Sequence, residues 1–357
     1  MYALVMAGGE GKRFWPLSKK ESPKQFLKLI GERSMIRITV DRILPLVPIE
    51  KIFIVTLERY ADETLKHIPE LPEENLVLEP EGKNTAPCIA LGTLKIGRLD
   101  PGATVLVLPA DHAIGEEEGF RDAVLFGKDA AERPLSDGSF PLITFGVKPT
   151  APETGYGYIK TGKPLWRRGD YEVRIVDRFV EKPDQEKAEE FLKKGGFLWN
   201  SGIFVWKIPA ILSAYKTHLP SWCTPLYKVS DSLGTHREKE FTTQFYREIE
   251  TGPVDKLILE KTKNALVIPV EFTWSDLGSW KALDEFLKPD PGENTFRGEV
   301  FAVDSSGCLV YGSKRLIALV GVKDLVVVDT EDAILVLNKD RAQEVRTVVG
   351  LLEKEGK

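Results

Sequence analysis

The stretch that decides the fold is the opening one, Met1-Tyr2-Ala3-Leu4-Val5-Met6-Ala7-Gly8-Gly9-Glu10-Gly11-Lys12-Arg13. Tyr2 to Met6 is an apolar run of one strand's length, and it passes directly into a loop that contains Gly8, Gly9 and Gly11 and ends on two basic residues. Glycines let backbone N–H groups approach an anion closely, and Arg13 with the later Lys24 supplies the positive charge that a phosphate-holding loop needs. Taken alone, a glycine cluster after a strand is equally a tight strand-to-helix turn. The loop is not a Walker sequence, which would need Gly where Met6 stands and Ser or Thr where Arg13 stands. Nor is it a dinucleotide fingerprint, which would place a third glycine at Phe14.

Working outward, short apolar runs at 2–6, 51–55, 104–108, 142–146 and 202–206 alternate with amphipathic stretches near 34–46, 85–99 and 117–131. Near-continuous hydrophobic strands separated by helices predict an α/β fold, with a Rossmann-like mixed, mostly parallel sheet flanked by helices. A helix over 185–194 is well punctuated, with Asp184 as N-cap and Gly195-Gly196 as its stop. From about 292 the texture changes to short strands spaced every eight to ten residues: Gly298-Glu-Val-Phe-Ala-Val303, Gly307-Cys-Leu-Val-Tyr311, Arg315-Leu-Ile-Ala-Leu-Val320, Leu325-Val-Val-Val328 and Ala333-Ile-Leu-Val-Leu337. These predict a small C-terminal β-rich module closed by a helix over 340–354. The turn-rich stretch 288–294 is the expected linker, dividing the chain into a catalytic domain over 1–290 and the β module over 291–357.

Composition narrows the function. The chain has 357 residues, about two domains' worth, with 49 Lys plus Arg against 54 Asp plus Glu and a net charge of −5. That balance argues against nucleic acid and anionic membrane surfaces as partners, which demand a basic excess. Cys88, Cys223 and Cys308 are far apart and odd in number, so neither a disulfide framework nor a structural zinc site is expected, and reduced cytoplasmic thiols are the simplest reading. No secretory signal is read in the first residues, which lack a basic start, and no eighteen apolar residues run together as a membrane span would require.

The glycine loop and the segment after it resemble the sugar-nucleotide pyrophosphorylases, and within them the mannose-1-phosphate guanylyltransferase branch. The resemblance rests on Ala7 to Arg13, Trp15-Pro16-Leu17-Ser18 and Pro23-Lys24-Gln25-Phe26, with Lys12 and Phe14 departing from the commoner Thr and Leu. It continues through Glu79-Pro-Glu-Gly-Lys-Asn-Thr-Ala-Pro87, Leu108-Pro-Ala-Asp-His112, Gly155-Tyr-Gly-Tyr-Ile159, Phe179-Val-Glu-Lys-Pro183, Trp199-Asn-Ser-Gly-Ile-Phe204 and Trp274-Ser-Asp-Leu-Gly-Ser-Trp280. The tail around Asp324-Leu-Val-Val-Val-Asp329 is similar to that family's short β-helix region. Long bacterial relatives continue into a phosphomannose isomerase module, so that second activity is expected to be absent.

The resemblance implies transfer of GMP from GTP to mannose 1-phosphate with Mg²⁺, giving GDP-mannose and pyrophosphate. Ala7, Gly8, Gly9, Gly11, Arg13, Glu79, Asn84, Thr85 and Pro109 would then line the nucleotide, and Gly146, Gly157, Tyr158, Glu181, Lys182 and Asn200 the sugar phosphate. Arg13, Lys24, Asp111, Lys182 and Asp276 would carry the catalysis. Asp111 ends an apolar strand and so stands at a carboxyl edge, where an open α/β sheet binds ligands. Either Asp111 or Asp276 alone reads as an N-cap or loop-surface residue, but together and with the family pattern they read as Mg²⁺ ligands. Lys182 would grip the sugar phosphate, although a surface lysine in water is the plain alternative. His112 reads as a structural neighbour of Asp111, and Trp199, Trp206, Trp274 and Trp280 as core or cleft wall.

Glu79 is expected to read the base, because guanine presents two adjacent donors and a carboxylate only accepts; the alternative is that backbone near Asn84 does so. A homodimer is expected. The rival readings are the same chemistry on another sugar or base, and a catalytically silent regulatory subunit that binds a nucleotide sugar.

Overall fold

The computed structural model describes residues 1–9, 11–287 and 293–355. They form two compact units, neither continuous in sequence: 1–8, 40–110 and 114–274 make the first, and 9–39, 111–113 and 275 onward the second. Most of the expected linker, 288–292, lies outside the described residues.

The first unit is built on a nine-stranded sheet. Its strands are β1 (Tyr2–Met6), β2 (Ile52–Leu57), β3 (Leu76–Glu79), β4 (Thr104–Pro109), β5 (Leu142–Val147), β6 (Tyr158–Arg168), β7 (Tyr171–Val180), β8 (Phe197–Lys207) and β9 (Ala265–Val270). They lie in the order β3-β2-β1-β4-β8-β5-β9-β7-β6. The β3-β2-β1-β4 half is parallel, as is β5 with β9, while β8 runs antiparallel to both β4 and β5. Ala3, Leu4 and Val5 of β1 are completely buried, as a near-continuous apolar run with sheet on both sides and helices above it must be. The helix Thr85–Leu99 packs on β1, β2 and β3, and Glu117–Ala131 on β4, β5, β7, β8 and β9.

Register places the site. Met6 pairs with Val55 and with Pro109, and Leu57 pairs with Glu79. The ends of β1, β3 and β4 therefore share one carboxyl edge of the parallel half, the edge at which open α/β sheets take ligands. Between Thr144 and Gly146 the pairing of β5 with β8 slips, and Gly146 comes opposite Asn200.

In the second unit the tail strands are β10 (Thr295–Arg297), β11 (Val300–Val303), β12 (Leu309–Tyr311), β13 (Ile317–Val320), β14 (Leu325–Asp329) and β15 (Ile334–Asn338). β10, β12 and β14 stack in parallel register with β15 closing antiparallel, and β11 pairs in parallel with β13. Successive turns thus add a strand to each of two small sheets, the β-helix-like arrangement, with Cys308, Val310, Leu319 and Val327 inside. A larger cluster joins the tail to residues 9–39: Phe14, Leu27, Leu29 and Met35 share one core with Trp280, Leu309, Val326, Val328 and Val345. The Tyr311 hydroxyl donates to the Lys28 carbonyl at 2.7 Å, and Trp280 Nε1 to the Trp15 carbonyl at 3.2 Å.

Two expected helices differ at their ends. The one expected at 34–46 runs from Met35 to Ile43, because Pro45 has no N–H to continue the helical ladder to the Asp41 carbonyl. The closing helix is Val345–Lys354, and the residues before it form a 3₁₀ turn, Lys339–Glu344, capped by Asn338. The helix at 185–194 is as expected, with Asp184 Oδ1 accepting from the Lys187 N–H at 2.9 Å and Gly195 at φ 65° ending it. The three cysteines are free thiols. Among the described residues no helix is long and apolar enough to cross a membrane.

Since the tail completes the core over residues 9–39, a chain ending at Leu287 should expose Phe14, Leu27 and Met35. Dye binding to apolar surface and a melting point several degrees lower are expected from such a fragment. A fragment that stays monomeric and melts with the full chain would refute this.

Candidate functional site

Three groups of side chains stand out. The first lies wholly in the second unit. Lys24 begins a 3₁₀ turn, Lys24–Phe26, and its side chain is only 6% exposed. Its ammonium donates to Asp111 Oδ2 at 2.9 Å and to the Asp276 carbonyl at 2.5 Å. A buried ammonium is tolerated only when paired in this way. Burial works to raise the Asp111 pKa, but the charges of Lys24 and His112, the Lys24 hydrogen bond and Arg13 outweigh it, and the carboxyl falls below its ordinary range. His112 thus sits beside this carboxylate and helps to hold it ionised.

Two glycines make room for this cluster. Gly11 has φ 60°, and a β-carbon there would stand 2.7 Å from the Lys24 backbone nitrogen. A β-carbon on Gly278 would stand 2.7 Å from Arg13 Nη1 and 2.8 Å from Asp276 Oδ1, so the bare backbone at 278 lets an arginine and a carboxylate crowd together. Arg346, on the terminal helix, belongs to the same field: burial and Arg13 lower its pKa while Asp276 raises it. No group of three or more His, Cys, Asp or Glu side chains that could hold a metal occurs among the described residues. An ionised Asp111 with Asp276 is instead a donor set of the kind that holds Mg²⁺ jointly with phosphate oxygens.

The second group lies in the first unit, at the expected sugar-binding positions. Asn200 is held from three sides: its Oδ1 accepts from Thr144 Oγ1 at 3.1 Å and from the Gly202 N–H at 3.3 Å, and its Nδ2 donates to Asp255 Oδ1 at 2.6 Å. Its backbone N–H donates to the Gly157 carbonyl at 2.8 Å. Lys182 and Glu181 form an ion pair, and Lys182 adopts φ 46°, a left-handed conformation that costs a non-glycine residue about 1–3 kcal/mol and recurs at functional sites. Gly157 is bare because the Glu181 carboxylate occupies the space of its β-carbon, 2.7 Å away. Burial and the charge of Glu181 push the Asp255 carboxyl up to about 6, against the Asn200 hydrogen bond.

The third group is Glu79 with Gly8. Glu79 is 2% exposed and accepts from the Tyr246 hydroxyl at 2.8 Å. Burial pushes its carboxyl up to about 7, and that hydrogen bond works in the other direction. Ala7 is fixed by its N–H to Val55 and by the Thr56 hydroxyl on its carbonyl. Gly9 has open space around its α-carbon.

Other expected site residues carry packing or capping duties. Asn84, at φ 73°, accepts from the Thr85 N–H at 2.9 Å, and Thr85 Oγ1 accepts from the Val254 N–H at 2.9 Å. Tyr158 is fully buried against Phe191 and pairs in the sheet with Val180 on one side and Trp199 on the other. Gly146 is small because a β-carbon would meet Leu198 and Val267. Pro109 ends β4. Trp199, Trp206, Trp274 and Trp280 are all buried. Asp255, Tyr246 and Arg346 carry no distinguishing signal in the sequence: they are a lone Asp after Gly252-Pro253-Val254, a tyrosine on the apolar side of a helix and an arginine in a mixed-charge terminal helix.

With this geometry in hand, the comparisons with known proteins define the class. The chain belongs to the nucleotidyl transferase family, matched over residues 2–290, and residues 298–352 match the MannoseP isomerase/GMP-like beta-helix domain. Among its relatives, the xanthan biosynthesis protein XanB of Xanthomonas campestris is 38% identical over 99% of this chain and 73% of its own length. A mannose-1-phosphate guanylyltransferase of Klebsiella pneumoniae is 37% identical over 98% of this chain and 74% of its own. A crystal structure from Thermus thermophilus, described as a mannose-1-phosphate geranyltransferase, superposes with a TM-score of 0.86 at 35% identity, covering 99% of both chains. The chain is thus an enzyme of the nucleotidyltransferase class, with a β-helix-like tail.

The raised Asp255 carboxyl predicts a pH signature. The folded state holds that proton more tightly than the unfolded chain, so stability falls as pH rises from the ordinary 3.8 to about 6. Asp255→Asn abolishes this slope while keeping an acceptor for Asn200. The melting point of the variant minus that of wild type should be higher at pH 7 than at pH 4.5 by about 1–3 °C. A difference independent of pH in calorimetry would contradict the assignment.

Proposed function

We propose that this chain transfers GMP from GTP to mannose 1-phosphate, releasing GDP-mannose and pyrophosphate. The observation that carries the reading is the gathering of Arg13, Lys24, Asp111 and Asp276 into one cluster from segments far apart in sequence. The choice of sugar and base is supported by likeness to the Klebsiella pneumoniae guanylyltransferase over nearly the whole chain.

In the reaction a phosphate oxygen of the sugar phosphate forms a bond to the α-phosphorus of GTP as the bond to the pyrophosphate bridging oxygen breaks. The attacking oxygen is already anionic at neutral pH, so no protein nucleophile is needed, and positioning with charge neutralisation is the protein's task. The glycine loop and Arg13 hold the nucleotide phosphates. Lys24 supplies charge near the reacting centre and keeps Asp111 ionised. Asp111 and Asp276 would hold Mg²⁺, which when bound supplies positive charge to the α-phosphate. Lys182 holds the sugar phosphate, and Glu181 and Asn200 accept and donate to sugar hydroxyls. Glu79 reads guanine through its two adjacent donors. Catalysis belongs to residues 1–290 in this reading, and 291–357 support them. Exposed Phe301 and Val320 on the tail, 64% and 69% accessible, support association as a homodimer. The enzyme acts in the cytoplasm on these small molecules.

Pyrophosphate release across a panel of nucleotides and sugar 1-phosphates tests the reaction, with GTP and mannose 1-phosphate expected to give the highest kcat/KM. Asp111→Asn and Asp276→Asn should each lower turnover by at least about a hundredfold with the fold retained; turnover within about threefold of wild type for both would reject the shared metal. Glu79→Gln should lower kcat/KM for GTP by about ten- to a hundredfold and for ATP much less.

A further inference from the structure

Glu79 closes β3 with one carboxylate oxygen tied down and the other turned toward Gly8, just after β1. Oε1 accepts from the Tyr246 hydroxyl at 2.8 Å, and Oε2 lies 2.9 Å from the place a β-carbon on Gly8 would occupy. Tyr246 comes from the helix Glu238–Glu248 and is fully buried, so its hydroxyl has no water to turn to and stays on the carboxylate. A carboxylate held by one oxygen in a buried site has its remaining lone pairs aimed by that bond. Here they are aimed at the start of the glycine loop.

We propose that Tyr246 is the positioning residue for base selection: its hydroxyl orients Glu79 toward Gly8 and favours its acceptor-only form, and so sets both the strength and the pH range of the preference for guanine. This inference rests on Glu79 reading guanine. Protonated, Glu79 turns an O–H donor toward a base edge that itself offers donors, and the preference collapses. Burial pushes the Glu79 carboxyl up to about 7, and the Tyr246 hydrogen bond is what opposes it. The other titratable groups of this core stay neutral across the working range. Burial and the charge of Glu79 push the Cys88 thiol well above its usual value, and burial does the same to the Tyr215 and Tyr246 phenols. Tyr215 is engaged elsewhere, donating to the Ala86 carbonyl at 2.7 Å. Only Glu79 among them changes charge near neutrality.

The test is the ratio of kcat/KM for GTP to that for ATP, measured between about pH 5.5 and 8.5, a profile that reports groups of the free enzyme. Both nucleotides carry the same triphosphate, so its titration cancels. In wild type the ratio should rise with pH through a midpoint near that of Glu79. Tyr246→Phe, which removes only the hydroxyl, should lower the ratio at pH 7 by about three- to tenfold, the scale of one hydrogen bond, and move the midpoint up by about 0.5–1 pH unit. KM for mannose 1-phosphate should not move. If Glu79→Gln loses the guanine preference while Tyr246→Phe keeps the wild-type ratio and midpoint, the role of Tyr246 is refuted and the reading of Glu79 stands. If Glu79→Gln keeps the wild-type ratio, both fall. Should Tyr246→Phe fail to fold, a wild-type ratio that is flat with pH overturns the inference by itself.

Discussion

One ammonium group organises the second unit. Lys24 is drawn from the segment after the glycine loop, Asp111 from the turn after β4 and the Asp276 carbonyl from the turn after residue 274, and the three meet at a buried positive charge. An unpaired ammonium at 6% exposure would be costly, and removing one partner of a buried pair typically costs about 3–5 kcal/mol. Each neighbouring peculiarity of backbone serves that meeting. Gly11 gives way to the Lys24 backbone, Gly278 gives way to Arg13 and Asp276, and Leu277 takes a left-handed φ of 43° between them. The apolar core of Phe14, Trp280, Leu309 and Val345 holds the same segments together from behind.

Carboxylates across the chain show how environment sorts one functional group into different roles. Asp111 has cations around it and stays ionised despite its surroundings. Asp255 and Glu79 accept from neutral donors, Asn200 and Tyr246, and burial, joined at Asp255 by the charge of Glu181, pushes them up to about 6 and about 7.

Legibility in the sequence follows the range of the interaction. The strand-to-loop transition at Met6, the caps of the helix 185–194 and the short tail strands depend on residues within a few positions of one another, and all are readable. Helix ends are readable only through their punctuation: Pro45 shortens the helix from Met35, a signal that a periodicity reading of 34–46 passes over. Arg13, Lys24, Asp111 and Asp276 are legible by motif, but the sharing of Lys24 between Asp111 and a carbonyl of residue 276 is not, since partners 87 and 252 positions away leave no trace in spacing. Asp255 and Tyr246 are hidden for the same reason. Asn200 lies 55 positions from Asp255, and Glu79 lies 167 from Tyr246. Tyr158 and Gly146 show the converse, in which the packing of residues inside or beside a recognisable motif, against Phe191 and against Leu198 with Val267, leaves no trace in the motif itself.

The second unit's patchwork of segments, 9–39, 111–113 and 275 onward, has a consequence for the life of the chain before it is complete. Contacts between residues so distant in sequence form slowly, because long loops must close before the contacts reward them. During synthesis, the strands of the parallel half β3-β2-β1-β4 are all available once about 110 residues have emerged, whereas Lys24 must wait for residue 276 and Phe14 for the tail. The cluster around Lys24 is therefore the last thing this polypeptide acquires. A chain interrupted before residue 276 can build the parallel half of its sheet but cannot complete the pairing of the Lys24 ammonium.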